Sequence, residues 1–236
     1  FDYAHAYLLL TEILKRPIDK FFRATILRSA QLCHAFDLWD KFLHAEAREL
    51  LVACNAPLPK HQQAIKSILG QGRDIHGYEL VGDLVNNAAR KAHRQYYDDA
   101  VARLYRAMEL FAQIRLKRQF DLESGNIPLA SLPEELRETW KCRLRANDKL
   151  ILGLNNVYEL LGHLGDPIGA HYSNNRERVL NALTKRNNSL FAHGSTPLVG
   201  GDYQEVRDTL GGFLTNAAQI IGIDISLPQL PQEGIV

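Results

Sequence analysis

Several features that mark large classes of protein are scarce or missing in this chain of 236 residues. It has only three cysteines, Cys33, Cys54 and Cys142, which are far apart and form no CxxC pair. This argues against a disulfide framework and against a zinc site, and it favours a reducing, cytoplasmic location. The longest apolar runs are too short to span a bilayer, and no signal-peptide pattern opens the sequence, so no membrane partner is expected.

A strong charge of one sign is missing as well. The 28 lysines and arginines nearly balance the 27 acidic residues, for a net charge of +1 with neutral histidines. No global field therefore attracts nucleic acid, and any basic surface must be local. The sequence begins at Phe1 and contains one methionine, Met108, which suggests a fragment or a processed product of a longer protein.

Alternating β patterns longer than a few residues are also lacking, whereas helical periodicity runs through most of the chain. Short edge strands are possible only at residues 127–129 and 223–225. We predict an all-α helical bundle with an N-terminal helical region of residues 1–72 and a second domain of residues 73–236. The main predicted helices cover residues 3–15, 18–38, 39–54, 60–69, 78–94, 98–117, 156–164, 174–184 and 202–221.

The segment from Arg186 to Gly194, RNNSLFAHG, is the most informative for function. Arg186 and His193 are seven positions apart, which on a helix means two turns and nearly the same angular position. One permanent cation and one group that titrates near neutral pH would then share a face. Such a pair can bind a phosphodiester and move a proton. The three residues that follow Arg186, which are Asn187, Asn188 and Ser189, are polar and poor helix formers, so burial does not explain them.

Spacing alone is weak evidence, because a similar pair, Arg28 and His34, lies in the second predicted helix. The residues from Ser29 to Cys33 between them belong to a long run with apolar periodicity. We therefore interpret Arg28 and His34 as parts of an ordinary core helix and favour the pair of Arg186 and His193.

Two segments together resemble a known family. Arg186, the asparagine directly after it and a histidine a few residues on resemble the signature of HEPN ribonucleases. Residues 97–116 resemble a core helix of one subgroup, the CRISPR-associated accessory ribonucleases of type III systems. Residues 38–47 resemble the helical region that precedes the HEPN core there. The resemblance covers roughly residues 37–223 and implies a HEPN-like bundle with a preceding helical region.

This resemblance also implies partners. Two chains are expected to pair as a homodimer, so that two sets of Arg186 and His193 face one cleft, with single-stranded RNA as the substrate. Members of the subgroup usually carry a Rossmann-like CARF sensor that binds cyclic oligoadenylate. Nothing in this sequence resembles that sensor, so cyclic oligoadenylate is expected to act only through a domain outside this chain.

RNA can be cut without a metal because its 2′-hydroxyl is an internal nucleophile. His193 is the predicted general acid or base, Arg186 would stabilise charge on the phosphate, and Asn187 would orient the reacting groups. No cofactor is expected. The other histidines lack metal-ligand spacing such as HExxH, so no metal site is expected.

Lys185, Ser189 and Arg106 are the candidate RNA contacts. Each has a plainer interpretation: Lys185 and Ser189 as surface residues, and Arg106 in an ion pair with Glu109, three residues on. For His193, the plainer interpretation is that it only caps the end of a helix before Gly194. The basic cluster at residues 90–94, followed by two tyrosines, could track RNA, but a solvated helix end is the favoured interpretation.

Three functions stay open at this point. The first is a metal-independent endoribonuclease of the CRISPR-associated HEPN type. The second is a catalytically silent HEPN-like module that dimerises or acts as a scaffold. The third is a HEPN toxin paired with an antitoxin. The motif of Arg186, Asn187 and His193 favours an enzyme, because a scaffold does not need it.

Overall fold

The computed structural model describes residues 2–72, 75–144, 148–187 and 196–232, with the side chains of all of them except Arg186 and Asn187. The elements confirm the predicted all-α class, because the described strands are only two residues long. Within these ranges no helix is both long and apolar enough to cross a bilayer. The elements are α1 (Tyr3–Leu14), α2 (Lys20–Asp40), α3 (His44–Ala53), α4 (Pro59–Ile68), α5 (Glu79–His93), α6 (Tyr97–Phe120), β1 (Ile127–Pro128), a 3₁₀ turn (Leu129–Ser131), α7 (Glu134–Lys141), β2 (Lys149–Leu150), α8 (Leu154–His163), α9 (Pro167–Asn187) and α10 (Gly200–Ile220).

Contacts divide the chain into two compact units. Unit 1 contains the residues up to 80 and those from 226 on, and unit 2 contains residues 81–225. In unit 1, α1 packs on α2, α2 on α3 and α3 on α4. Its core holds Phe36, Trp39, Leu51 and Ile65, and the tail joins it through Leu230. The predicted division into domains of residues 1–72 and 73–236 concerns independent folding and function, and it stays a prediction.

The predicted helix of residues 39–54 is wrong in its first residues. Trp39 belongs to the end of α2, where it is buried in the core of unit 1. The chain then reverses at Phe42, which has a left-handed φ of 63°, and the Leu43 N–H donates to the Leu38 carbonyl at 2.9 Å. A continuous apolar periodicity hid this turn, because no glycine or proline marks it.

Unit 2 is built around α6. Its apolar residues recur at three- and four-residue spacing along one face, where Val101, Leu104, Met108 and Phe111 are fully buried. This helix packs against α8, α9 and α10, and the Tyr158 hydroxyl of α8 donates to the Met108 carbonyl at 2.9 Å. Because three helices cover one central helix, the core of unit 2 forms along most of its length.

The only strands among the described residues lie in unit 2. β1 and β2 pair antiparallel, with Ile127 opposite Leu150, and both of these side chains are fully buried. The sequence allows two short edge strands, and the one expected at residues 127–129 forms as β1. The other, at residues 223–225, does not form.

The start of α9 is fixed by a carboxylate and by a close helix contact. Asp166 precedes the first residue of α9; its Oδ1 accepts from the Ile168 N–H at 2.9 Å, and its Oδ2 accepts from Arg115 Nε of α6 at 2.8 Å. A Cβ added at Gly169 would overlap the backbone of Gly162 in α8. The first turn of α9 is therefore held against both α6 and α8.

We expect Gly169→Ala to lower the free energy of unfolding by about 3 kcal/mol, because the added methyl group forces α8 and α9 apart. The matched control is Gly211→Ala in the middle of α10, where an added Cβ meets nothing within 4 Å. That variant should gain about 0.5–1 kcal/mol from helix propensity. Urea unfolding followed by circular dichroism measures both, and equal effects of the two substitutions would contradict the close contact.

Candidate functional site

The predicted catalytic motif begins at the C-terminal end of α9. Lys185, Arg186 and Asn187 are the last three residues of this helix. Ser189 and His193 lie outside the described residues, as does Gly194, the predicted helix cap. The backbone of α9 thus carries Arg186 in helical conformation, whereas its predicted shared face with His193 stays a prediction.

Two carboxylates of α10 hold Lys185. Its Nζ lies 2.6 Å from Glu205 Oε2 and 3.2 Å from Asp202 Oδ1. The hydrogen bond to Glu205 has the largest effect and the one to Asp202 the next largest, and both raise the pKa of Lys185 above its ordinary value. The end of α9 is therefore tied to the first turns of α10, and the lysine charge next to Arg186 is balanced.

Asp202 contacts the chain on both sides of the motif. Its Oδ1 accepts from Lys185, which precedes the motif, and its Oδ2 accepts from the Val199 N–H, which follows it, at 3.2 Å. The bond from Val199 and then the one from Lys185 hold the pKa of Asp202 below its ordinary value. One carboxylate thus fixes the separation of the two flanks. The sequence gives a signal for the bond from Val199, because an acidic residue at the third position of a helix commonly accepts from the backbone N–H of the residue that precedes the helix.

A second carboxylate holds the flank that follows the motif. Asp98, in the first turn of α6, accepts from the Leu198 N–H through Oδ2 at 3.1 Å. Two residues on, a Cβ added at Gly200 would lie 3.3 Å from the Tyr97 hydroxyl. Residues 198–200 therefore lie close against the start of α6. No sequence pattern predicts this contact, because the two residues are 100 positions apart.

Comparison with known families settles which kind of domain carries this motif. Residues 71–217, more than half of the chain, match the family described as the Csm6 HEPN domain. The chain belongs to this family. The match confirms the predicted resemblance to a CRISPR-associated HEPN domain and places the chain among the CRISPR-associated HEPN ribonucleases in general. No curated protein matches the chain.

The third predicted RNA contact of this HEPN domain lies on the central helix. The Arg106 guanidinium is exposed at the surface of α6, where Nη1 lies 2.8 Å from Glu109 Oε2 and 2.9 Å from Gln113 Oε1. The ion pair suggested by the three-residue spacing is therefore present. A contact between Arg106 and RNA stays a prediction, and it requires exchange of this partner for a phosphate.

The basic cluster at residues 90–94 differs from its interpretation as a solvated helix end. Arg90 is only 1% exposed and pairs with Asp83, also buried, at 3.3 Å. The Arg94 guanidinium lies 5.0 Å from the centre of the Tyr96 ring. Arg90 is thus an interior residue, and the charge that this cluster offers to solvent is smaller than the sequence suggests.

The rejected pair, Arg28 and His34, lies in unit 1, and each side chain contacts a neighbour there. The His34 ring stacks on Tyr7 with centroids 4.5 Å apart, and Arg28 Nη2 donates to the Asn55 carbonyl at 3.2 Å. These contacts agree with a structural role. In the part of the chain that the structure describes, no group of three or more His, Cys, Asp or Glu side chains could hold a metal ion.

We expect Asp202→Ala to lower the free energy of unfolding at pH 7 by about 1 kcal/mol, because α10 loses a capping bond and Lys185 loses a partner. The folded-state pKa of Asp202 is lowered. Its contribution is therefore complete above the ordinary carboxyl pKa of about 4 and is lost as the pH falls through the lower folded value. Urea unfolding between pH 3 and pH 7 should show the two proteins converging at low pH.

The matched control is Asp208→Ala, in the same helix, whose carboxylate contacts the exposed side chains of Gln204 and Arg207. It should change the stability by less than about 0.5 kcal/mol. An equal loss in both variants, or a loss at Asp202 that does not become smaller between pH 7 and pH 3, would contradict the role of the Asp202 carboxylate.

Proposed function

We propose that this chain is a metal-independent endoribonuclease domain that cleaves single-stranded RNA with Arg186, Asn187 and His193. The observation that carries the proposal is that the match to the Csm6 HEPN domain family spans residues 71–217, which contain this motif. The described neighbours support it, since Asp202 holds Lys185 before the motif, and Asp98 and Asp202 hold the flank that follows the motif.

The reaction is a transfer within the RNA. A histidine removes the proton of the 2′-hydroxyl, the 2′-oxygen attacks phosphorus, and the bond from phosphorus to the 5′-oxygen breaks. A second histidine gives a proton to the leaving 5′-oxygen. Arg186, always charged, offers a planar pair of donors to the oxygens that gain negative charge, and Asn187 orients the phosphate. The products are a 2′,3′-cyclic phosphate and a 5′-hydroxyl, and no metal is needed to generate the nucleophile.

The same scheme requires two chains. Each chain supplies one predicted acid–base histidine, His193, whereas the reaction uses one base and one acid. A homodimer with a twofold axis at the cleft supplies both, and each chain then adds one Arg186. Two such sites in one cleft also bind the phosphates of a single strand from both sides.

Lys185, Ser189 and Arg106 are proposed to contact the RNA backbone. Lys185 and Arg106 hold carboxylates in the present structure, so each must exchange a carboxylate for a phosphate when RNA binds. We further propose that any control by cyclic oligoadenylate acts through a sensor domain that residues 1–236 do not include.

We expect His193→Ala and Arg186→Ala each to lower cleavage at least about 10²-fold without unfolding the protein. Loss of His193 removes proton transfer, so the rate should lose its dependence on pH near 6–7 while RNA affinity is kept. Arg186→Lys should recover little, because an ammonium group does not reproduce the planar fork. Labelled RNA incubated in EDTA, with the product ends identified, measures all three.

The matched control is His34→Ala, which removes the histidine of the rejected pair and should stay within a few-fold of the parent protein. Loss of all activity of the parent protein in EDTA would refute metal independence. Cleavage at the parent rate by a folded Arg186→Ala, His193→Ala double variant would refute the proposed residues and favour a scaffold role for the motif.

We also expect the active form to be a dimer. Sedimentation at micromolar concentration should give twice the mass of one chain, and the specific activity should fall when the protein is diluted below the dissociation constant. A strict monomer with full activity across this range would contradict the composite site.

A further inference from the structure

We propose that a cavity beside the end of α9 binds one nucleobase of the RNA substrate and so sets the base preference of cleavage; this rests on the proposed function. The cavity holds about 310 Å³ and is lined by Tyr105 of α6, residues 153–156 at the start of α8, and Leu180, Leu183 and Thr184 of α9. This volume is at the lower end of the range for small-molecule sites, which suits a single flat heterocycle.

The cavity lies next to the predicted catalytic arginine along the same helix. Thr184 precedes Arg186 by two residues, which is a rise of about 3 Å along the helix axis. Position 187 follows Leu180 by seven residues, so the helix returns it to the side of the cavity, whereas position 186 lies about 100° further round the axis. A base in this cavity would therefore be close, along the helix axis, to a phosphate bound at the end of α9, on the side of position 187.

The lining residues identify the chemistry of the ligand. None of the described residues that line the cavity is charged, so a phosphate or a carboxylate finds no counter-ion there. Two leucines of α9 and the Tyr105 ring offer apolar and aromatic surface against which a base can stack. The asparagines at the start of α8 offer hydrogen-bonding groups. A mainly polar lining with a smaller apolar surface and no charge suits a neutral heterocycle whose edge carries hydrogen-bond acceptors.

The two asparagines that line the cavity are oriented by partners behind them. Asn156 Oδ1 accepts from Arg143 Nη1 at 2.9 Å, and because a guanidinium only donates, this contact fixes which way the amide faces. Asn155 Oδ1 accepts from the Tyr172 hydroxyl at 2.8 Å. Burial raises the pKa of Tyr172, so its hydroxyl keeps the proton that it donates. Each amide therefore keeps its NH₂ group as a donor for the edge of a base.

Those partners are themselves held rigidly. Arg143 makes two bonds to Glu159, at 2.8 and 3.1 Å, and its guanidinium lies 4.6 Å from the centre of the Trp140 ring. The Tyr172 ring stacks on Tyr158 with centroids 4.6 Å apart. Such support preorganises the amides before the ligand arrives, as specific recognition requires.

The test uses Asn155→Asp and Asn156→Asp, which keep an acceptor for Tyr172 and for Arg143 but replace the NH₂ donor by an oxygen. Relative kcat/KM is measured on four RNAs that differ in one base at the single cleavable step. The parent protein should prefer one base by about tenfold or more, and each variant should lose or change that preference. Asn174→Asp, which adds the same charge on α9 outside the cavity, should keep it. A uniform loss on all four RNAs, or an unchanged preference, would overturn the proposal.

A measurement of RNA binding distinguishes failure of this cavity proposal from failure of the proposed catalytic function. Fluorescence anisotropy with the His193→Ala protein compares an RNA with its counterparts that carry one abasic nucleotide at successive positions. One position should weaken binding at least several-fold in the protein with intact asparagines and have little effect in Asn156→Asp. If RNA is not cleaved by the parent protein, this binding pattern still tests the cavity. If no abasic position matters, the cavity proposal is refuted even when cleavage is observed.

Discussion

The function proposed here depends on the placement of one helix, α9, which carboxylates hold at both ends. Asp166 ties its first turn to Arg115 of α6, and Asp202 and Glu205 bind Lys185 in its last turn. The helix has 21 residues and is therefore about 32 Å long. Loss of the ion pairs at either end is therefore expected to loosen the placement of α9, and with it the backbone at Arg186. The proposed positioning of the phosphate thus depends on ion pairs as well as on the residues that touch the substrate.

The proposed binding of RNA must depend on local contacts rather than on a general positive field. The net charge of the chain is +1, and the two described cations predicted to bind RNA, Lys185 and Arg106, are already paired with carboxylates. Proteins that bind nucleic acid through many free cations show a steep dependence on salt. Here the cavity residues Asn155 and Asn156 are neutral and supply hydrogen bonds that salt screens little. The same neutral hydrogen bonds would therefore give RNA binding a shallow salt dependence and cleavage a clear base preference.

The sequence predicted the features that depend on periodicity and missed those that depend on contacts between distant residues. The apolar face of α6 follows from its repeat, and its buried residues are the expected ones. The turn at Phe42 left no such signal, and the burial of Arg90 contradicts the usual exposure of arginine. Asp98 and Asn156 could not be selected from the sequence either, since their partners, Leu198 before α10 and Arg143 after α7, are brought to them only by the tertiary fold.

The packing of α8 against α9 also affects the electrostatic potential at the proposed phosphate site beside Arg186. The last carbonyl groups of a helix carry partial negative charge, so the end of α9 alone disfavours a phosphate. The start of α8 lines the same cavity as Leu183 and Thr184 near the end of α9, and the N–H groups of a helix start carry partial positive charge. The start of α8 thus offsets part of this repulsion, and in the proposed mechanism Arg186 supplies most of the attraction for the scissile phosphate. Loss of that one guanidinium should therefore lower the proposed reaction more than loss of Lys185, whose charge is already balanced by Asp202 and Glu205.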